Sequence, residues 1–282
     1  MADATRKITW SRIESGIARG YAYAVLAFLV APLIVIVPLS FNAEPYFTFT
    51  SKMLSLNPDG FSLRWYQDIV NNSQWLEAIG NSVVIALAST ALATVLGTLA
   101  AIGLARSNMP FRDFIMALLI SPLVVPIVIA AAGMYFFYSS IGLSQTHLGI
   151  ILAHTSLGVP FVVITMTATL SGFDRNLSRA ALSLGADPIT AFFRVTLPLI
   201  APGMVSGALF AFAASFDEVV TVLFLGGPDQ RTIPRQMWSG IREQISPTIL
   251  AVATLLIIFS SLLLLAVEML RRWHTPASLE KR

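Results

Sequence analysis

Five stretches of this chain contain no Lys, Arg, Asp or Glu: Tyr21 to Asn42, Ala78 to Leu104, Phe114 to Phe173, Val195 to Phe216 and Ile245 to Val267. Each reaches the ~20 residues that a helix needs to cross the hydrocarbon core of a bilayer. Lipid offers no partner to an unpaired backbone group, so a chain dominated by such stretches folds as membrane helices. The stretch from Phe114 to Phe173 is too long for one crossing, and SSIGLSQTH, Ser139 to His147, divides it. Six transmembrane helices are therefore expected, at roughly 21–41, 79–106, 113–138, 147–171, 200–223 and 248–270. Composition agrees, with only 12% charged residues against about 25% in a soluble domain. The expected class is an all-α, polytopic membrane protein.

The formal charge of +3 has a distribution more informative than its sum. With the N-terminus in the cytoplasm, the inner segments hold Arg6, Lys7, Arg12, Arg19, Arg106, Arg112, Arg175, Arg179, Arg194, Arg271, Arg272, Lys281 and Arg282, 13 of the 18 basic residues. The outer loops hold Lys52, Arg64, Arg231, Arg235 and Arg242. The positive-inside rule then puts both termini inside, and the basic residues are topology signals rather than a nucleic-acid footprint. The expected layout is a cytoplasmic N-terminal segment 1–20, a transmembrane domain 21–271 and a cytoplasmic tail 272–282. The outer loops fall at about 42–78, 139–147 and 224–247, and a long inner loop covers 172–199. Cysteine is absent, which rules out a disulfide framework and thiolate metal sites. The first apolar run lacks a convincing cleavage site and is expected to be a retained helix.

The inner loop leads into SRAALSLGADPITAFFRVTLPLIAPG, Ser178 to Gly203, which predicts two short helices forming an elbow. The first covers Leu177 to Leu184, with Asp174 or Asn176 as N-cap and Gly185 at the left-handed C-cap position. Asp187 caps the second, with Pro188 at its first position, and Pro198 and Pro202 are expected to stop it. Ala180, Ala181, Gly185 and Ala186 carry almost no bulk, so another protein can approach the backbone closely.

Elsewhere, Ile8, Trp10, Ile13 and Ile17 fall at helical spacing, giving either an amphipathic helix on the inner surface or a disordered tail. Phe61, Trp65, Tyr66 and Trp75 in the first outer loop are interfacial anchors or a docking surface. Ala93, Gly97, Ala101 and Ala105 form a small-residue stripe for close helix packing. Pro122, Pro126 and Pro160 are expected to kink their helices. His154 has no second ligand nearby, which favours packing over metal binding. Asp217 and Glu218 in AASFDEVV are costly in lipid unless they face a cavity or find partners. On a helix they point about 100° apart, so one could attract a cation while the other pairs with a neighbour. Alternatively both bond to Arg231 or Arg235. In the last outer loop, Thr232 to Gln244 is expected to form a short surface helix.

The chain has no GxxxxGK[ST] loop for ATP, no HExxH and no G-x-S-x-G, and nothing in the helices pairs a nucleophile with a base; it is not expected to be an enzyme or to hold a cofactor or metal. The run Ala180-Ala181, Gly185-Ala186, Phe193, Leu197-Pro198 and Pro202-Gly203 resembles the EAA signature of permease subunits in binding-protein-dependent ABC importers. The Glu of that signature falls on Arg179, which reverses the charge. FSLRWYQDI, Asn81-Ser82, LAHTSLGVPFVV, SFDEVV and TIPRQMWSGIREQISPTILAVATLL look like the spermidine/putrescine branch.

The resemblance implies a type I ABC importer permease fold in a bacterial inner membrane, with the elbow as a cytoplasmic coupling helix that docks into an ATPase groove through Arg179, Ala180, Ala181, Gly185, Ala186 and Asp187. It implies a polyamine path near Asp217, Glu218 and His154. The implied partners are a second, homologous permease, two ATP-binding subunits, an external substrate-binding protein and membrane lipid, with no nucleic acid. Import of another amine, an aminoalkylphosphonate, iron or an oxyanion on the same scaffold remains an alternative, as does a stand-alone channel or a scaffold without transport.

Overall fold

The computed structural model describes residues 2–105, 109–243 and 246–274, with side chains described for 18–105, 109–242, 246–265 and 269. Thirteen α-helices account for most of them, and no strand is present among the described residues. They are α1 (Ala2–Leu39), α2 (Ser51–Leu54), α3 (Arg64–Asn71), α4 (Ser73–Leu104), α5 (Arg112–Val124), α6 (Ile127–Ser140), α7 (His147–Ser171), α8 (Arg175–Ser183), α9 (Pro188–Ala191), α10 (Leu197–Phe216), α11 (Val220–Leu225), α12 (Ile233–Glu243) and α13 (Thr248–His274). Five helical stretches are long and apolar enough to cross a membrane, and a bent pair makes a sixth if taken as one span. The all-α, six-span class read from the hydropathy pattern is the class observed. The N-terminal segment continues α1 as helix, its side chains lying outside the described set, as do Arg106 and residues 275–282 of the expected tail.

Three expectations about the spans need correction. The third, 113–138, is two helices, α5 and α6, bent by 103°. The residue before a proline is pushed out of the helical region, and Val125 before Pro126 has the extended angles φ −71°, ψ 130°. The two prolines expected to end the elbow's second helix do not stop it: Pro188–Phe216 runs as one 29-residue stretch. A π-helical turn at Phe192–Thr196 takes up the mismatch, with the Leu197 amide reaching back five residues to the Phe192 carbonyl. Pro198, which has no N–H and whose ring crowds the carbonyl four residues earlier, follows directly as the helix resumes its α register. Finally, the fifth span, placed at 200–223, breaks at Phe216, and a new short helix starts at Val220.

The chain divides into two compact units, Met1–Asn71 with Gln244–Leu262 and Asn72–Glu243 with Leu263–Arg282. The first is organised on Asn42, which is fully buried. Its amide nitrogen donates to the carbonyls of Tyr46 and Thr48, each at 3.0 Å. Its side-chain oxygen accepts from the Glu44 amide at 2.9 Å, and its own carbonyl accepts from the Trp65 indole at 2.8 Å. A buried amide with every group satisfied fixes the loop around it. Tyr66 bonds Ser40 at 2.7 Å, and Asp68 accepts from the Thr248 hydroxyl at 2.7 Å. Trp65 and Tyr66 thus turn their polar ends into their own unit.

The second unit is built on a seam of α4, α7 and α10, whose residues meet in layers spaced by four along each helix. A Cβ on Gly158 would touch the Cβ atoms of both Ala93 and Ala211 at 3.2 Å. One turn on, a Cβ on Gly97 would lie 2.6 Å from the Val162 Cβ, and one on Gly207 would lie 3.0 Å from the Val162 Cα. Further along, Gly203 packs directly on Thr169. The pairing order makes α4 and α7 parallel and α10 antiparallel to both. Ala93, Ala101, Val162, Met166, Ile200 and Ala211 form the buried core of this seam, so the small-residue stripe expected on α4 is packing within the chain. Without a hydrophobic drive between helices in lipid, such contacts act through van der Waals packing that only small residues permit.

Replacing Gly97 with Val should overpack the seam and cost about 1–3 kcal/mol. Gly133→Ala, where an added Cβ meets nothing within 4 Å, should leave stability level or slightly raised. Thermal unfolding in detergent checks the pair.

Candidate functional site

The chemistry-bearing residues of the second unit gather in three places. The first is the elbow. Asp174 caps α8, accepting from the Asn176 amide at 2.9 Å. The helix ends in a Schellman arrangement, in which the Ala186 amide bonds the Ala181 carbonyl at 3.1 Å and the Gly185 amide bonds the Leu182 carbonyl at 3.0 Å. That closure needs a left-handed residue, and Gly185 has φ +90°. A Cβ at Gly185 would meet nothing within 4 Å, so the glycine serves the backbone and leaves open surface above it. Asp187 then caps α9 through the Thr190 amide at 2.6 Å and the Thr190 hydroxyl at 3.2 Å. A hydroxyl pair, Ser178 with Thr196 at 3.0 Å, braces α8 against the π turn. Arg175 donates to the Ala105 carbonyl and Arg112 to the Leu104 carbonyl at 2.8 Å, placing two cations at the C-terminus of α4, where the helix dipole favours them.

Arg179, Ala180, Gly185 and Asp187 are exposed, and Ala181 and Ala186 are half-buried. Four large apolar residues stand out beside them: Leu184 is 89% exposed and Ile189 69%, with Leu182 and Phe193 also exposed.

The second place is the break after α10. Asp217 is the C-cap residue, its amide returning to the Ala213 carbonyl at 3.1 Å. Its side chain is exposed, and its carboxylate has no partner among the described residues. Glu218 is half-buried and accepts from the Thr221 amide at 2.8 Å, securing the start of α11. The two acids are therefore not neighbours on one helix, as expected, but sit on either side of its end. Neither meets an arginine among the described residues: Arg231 donates to Gln236 at 3.3 Å and Arg235 to the Gly227 carbonyl at 2.7 Å. That part of the expectation is corrected because both guanidinium groups are occupied within their own loop.

Just inside the break, His154 of α7 is buried in the seam. Its Nδ1 lies 2.8 Å from the Ser215 hydroxyl of α10, which lies 2.9 Å from the Ser89 hydroxyl of α4. Ser89 also donates to the Ala86 carbonyl at 3.2 Å, which leaves Ser215 to donate to Ser89 and accept from Nδ1–H. These three residues form the next layer of the seam after Ala93, Gly158 and Ala211. The side chain of Asp217, two residues past Ser215, points about 200° around the helix from it, away from the seam.

The third place is the outer loop. Asn81 donates to the carbonyls of Asp229 and Arg231 at 2.8 and 2.9 Å and accepts from His147 Nε2 at 2.9 Å. Ser82 accepts from the Ile233 amide at 2.8 Å, which starts α12, the short surface helix expected there. Residues 228–236 thereby hang on one turn of α4. Ser89, Ser215 and His147 were not singled out from the sequence. Ser89 continues the four-residue spacing of Ala93, Gly97 and Ala101, and that spacing was the available signal.

Residues 93–278 match the family described as "Binding-protein-dependent transport system inner membrane component". The chain is 29% identical to the spermidine/putrescine transport system permease protein PotC of Escherichia coli K12, over 92% of this chain and 95% of that one. It is 33% identical to the putrescine transport system permease protein PotI of the same organism, over 82% of each. Among solved structures it is similar to a chain of a bacterial ABC transporter that imports alginate, with TM-score 0.68 and 12% identity over 94% of this chain and 97% of that one.

Two measurements probe these placements. Asn81→Ala should remove the anchor of the outer loop, and hydrogen exchange at residues 228–236 should speed up about tenfold, for a loss of the order of 1–3 kcal/mol. At the elbow, the Thr190 amide and then its hydroxyl hold the Asp187 carboxyl below the usual carboxylate range. The cap's stabilisation is thus present above the ordinary carboxylate pKa and lost as pH falls through the lowered folded value; exchange at Thr190 and Ala191 should accelerate, relative to the intrinsic rate, only on that acid side.

Proposed function

The chain belongs to the inner-membrane components of binding-protein-dependent transport systems, and from that premise we propose that it forms half of the translocation path of a polyamine importer driven by a separate ATPase. The observation that carries the substrate class is Asp217: an exposed, unpaired carboxylate where a membrane helix breaks. A helix C-terminus is the negative end of the dipole, so fixed and partial charges there favour a cation. A polyammonium ligand leaving water needs such acceptors, whereas an oxyanion would be repelled. Glu218 holds α11 in place, and His154 acts on the path indirectly, by fixing Ser215 two residues before Asp217. Relatives named for spermidine and putrescine transport support this choice among the solutes that the scaffold could carry.

In the same proposal both termini and the elbow face the cytoplasm, in line with the excess of basic residues on that side. Leu184 and Ile189, with the small residues around Gly185, dock into the ATPase, and its closing and opening alternates access to the path. A second permease chain, two ATPase subunits and an external binding protein complete the complex. The short helix α12 lies on the outer side in this arrangement.

Uptake of labelled spermidine and putrescine tests the cation site. Asp217→Asn should lower uptake about tenfold, the loss of one charge-assisted contact, and Glu218→Gln should lower it less. Unaltered uptake in the single and double variants would sink the cation site. Gly185→Trp should uncouple ATP hydrolysis from substrate while membrane insertion stays intact.

A further inference from the structure

Between Phe173 and Ile200 the elbow has five charged side chains, Asp174, Arg175, Arg179, Asp187 and Arg194. Three are committed to the chain itself. Asp174 and Asp187 have oxygens bonded at the starts of α8 and α9, and Arg175 is bonded to the end of α4. Arg179 and Arg194 are exposed and have no hydrogen bond or ion pair among the described residues. Both belong to one braced piece, because the Ser178–Thr196 bond ties α8 to the π turn, one residue from Arg179 and two from Arg194. The two charged side chains of the elbow left without a hydrogen bond are therefore both arginines, the aspartates leave the elbow with a net charge of +1, and these cations accompany exposed Leu182, Leu184, Ile189 and Phe193.

A partner gains by covering those four apolar side chains, at about 25 cal/mol per Å² of area buried. Covering them also draws two guanidinium groups toward a drier surface, which is costly unless opposite charges meet them. Arginine's planar fork suits carboxylates. We propose that the ATPase surface receiving this elbow is an apolar groove rimmed by carboxylates, with Arg179 and Arg194 as the two cations read by the rim. This rests on the elbow being the ATPase contact, and it adds a selectivity: an ATPase with a basic rim is repelled, so the chain discriminates among ATPase subunits by like-charge exclusion as well as by fit.

The test uses the whole transporter in nanodiscs of neutral phosphatidylcholine, reading ATP hydrolysis stimulated by substrate-loaded binding protein and retention of the ATPase on the tagged permease. Arg179→Glu with Arg194→Glu should lower stimulated hydrolysis about tenfold and weaken retention, while the corresponding double Lys variant keeps most of both. Changing the facing ATPase carboxylates to Lys should restore the double Glu variant. Failure of that restoration overturns the proposal, even if the double Glu variant assembles poorly by itself. Wild-type hydrolysis in the double Glu variant alongside loss in Gly185→Trp overturns the charged rim and leaves the docking role standing. Normal coupling in Gly185→Trp as well overturns both. A loss seen only in nanodiscs containing phosphatidylglycerol means that the arginines read the lipid surface, and also overturns the proposal.

Discussion

The close approach of α4, α7 and α10 is the constraint on which the second unit depends. In lipid, apolar side chains gain little by touching one another rather than acyl chains, and association relies on packing that small residues allow. Here glycines and alanines recur every four residues on α4 (Ala93, Gly97, Ala101) and α10 (Gly203, Gly207, Ala211), and α7 meets them with Gly158, Val162 and Met166, so the helices pack closely over several turns. Where the stripe reaches the break in α10, the same geometry brings Ser89, Ser215 and His154 together. The polar cluster at that depth offsets part of its burial cost because its members bond one another, while His154 Nε2 is left buried with no hydrogen-bond partner among the described residues. It also fixes the rotation of α10, and with it the direction in which Asp217 leaves the helix.

The same helix connects this seam to the elbow. Pro188–Phe216 is one continuous stretch of 29 residues, about 44 Å at the α-helical rise of 1.5 Å per residue. One end is capped by Asp187 at the elbow, and Asp217 stands at the other. A rod gripped along its length by two neighbours is suited to carry a displacement from one end to the other. The π turn near its start precedes Pro198 and lets the rod continue through it, and π turns of this kind are frequent at functional places. In the proposed function, force entering at the elbow is delivered to the carboxylate by this rod.

Much of this was legible in the sequence, and the failures are local. The charge-free runs marked the spans, and Asp174, Gly185 and Asp187 took the capping roles that their chemistry predicts. Proline was the least readable residue. Pro126 bends its span by 103°, Pro160 and Pro202 sit inside unbroken α7 and α10, and Pro198 follows a change of helical register. The outcome depends on how neighbouring backbone is packed, which no local pattern records. Periodicity also placed Asp217 and Glu218 on a helix, whereas Glu218 folds back to start a new one. Partners distant in sequence, such as Asn81 with Arg231 and Asp68 with Thr248, had no signal in a single chain.

The central claim is that the elbow is the point at which a separate ATPase grips this chain. The chain has no cysteine, so a Leu184→Cys variant carries a single thiol at the most exposed apolar position of the elbow. A thiol-to-amine cross-linker of short span, applied to the assembled transporter, should yield one dominant adduct, joining the permease to its ATPase subunit. A dominant adduct to the external binding protein, or modification of the thiol from the outer side of sealed cells by a membrane-impermeant maleimide, would contradict it.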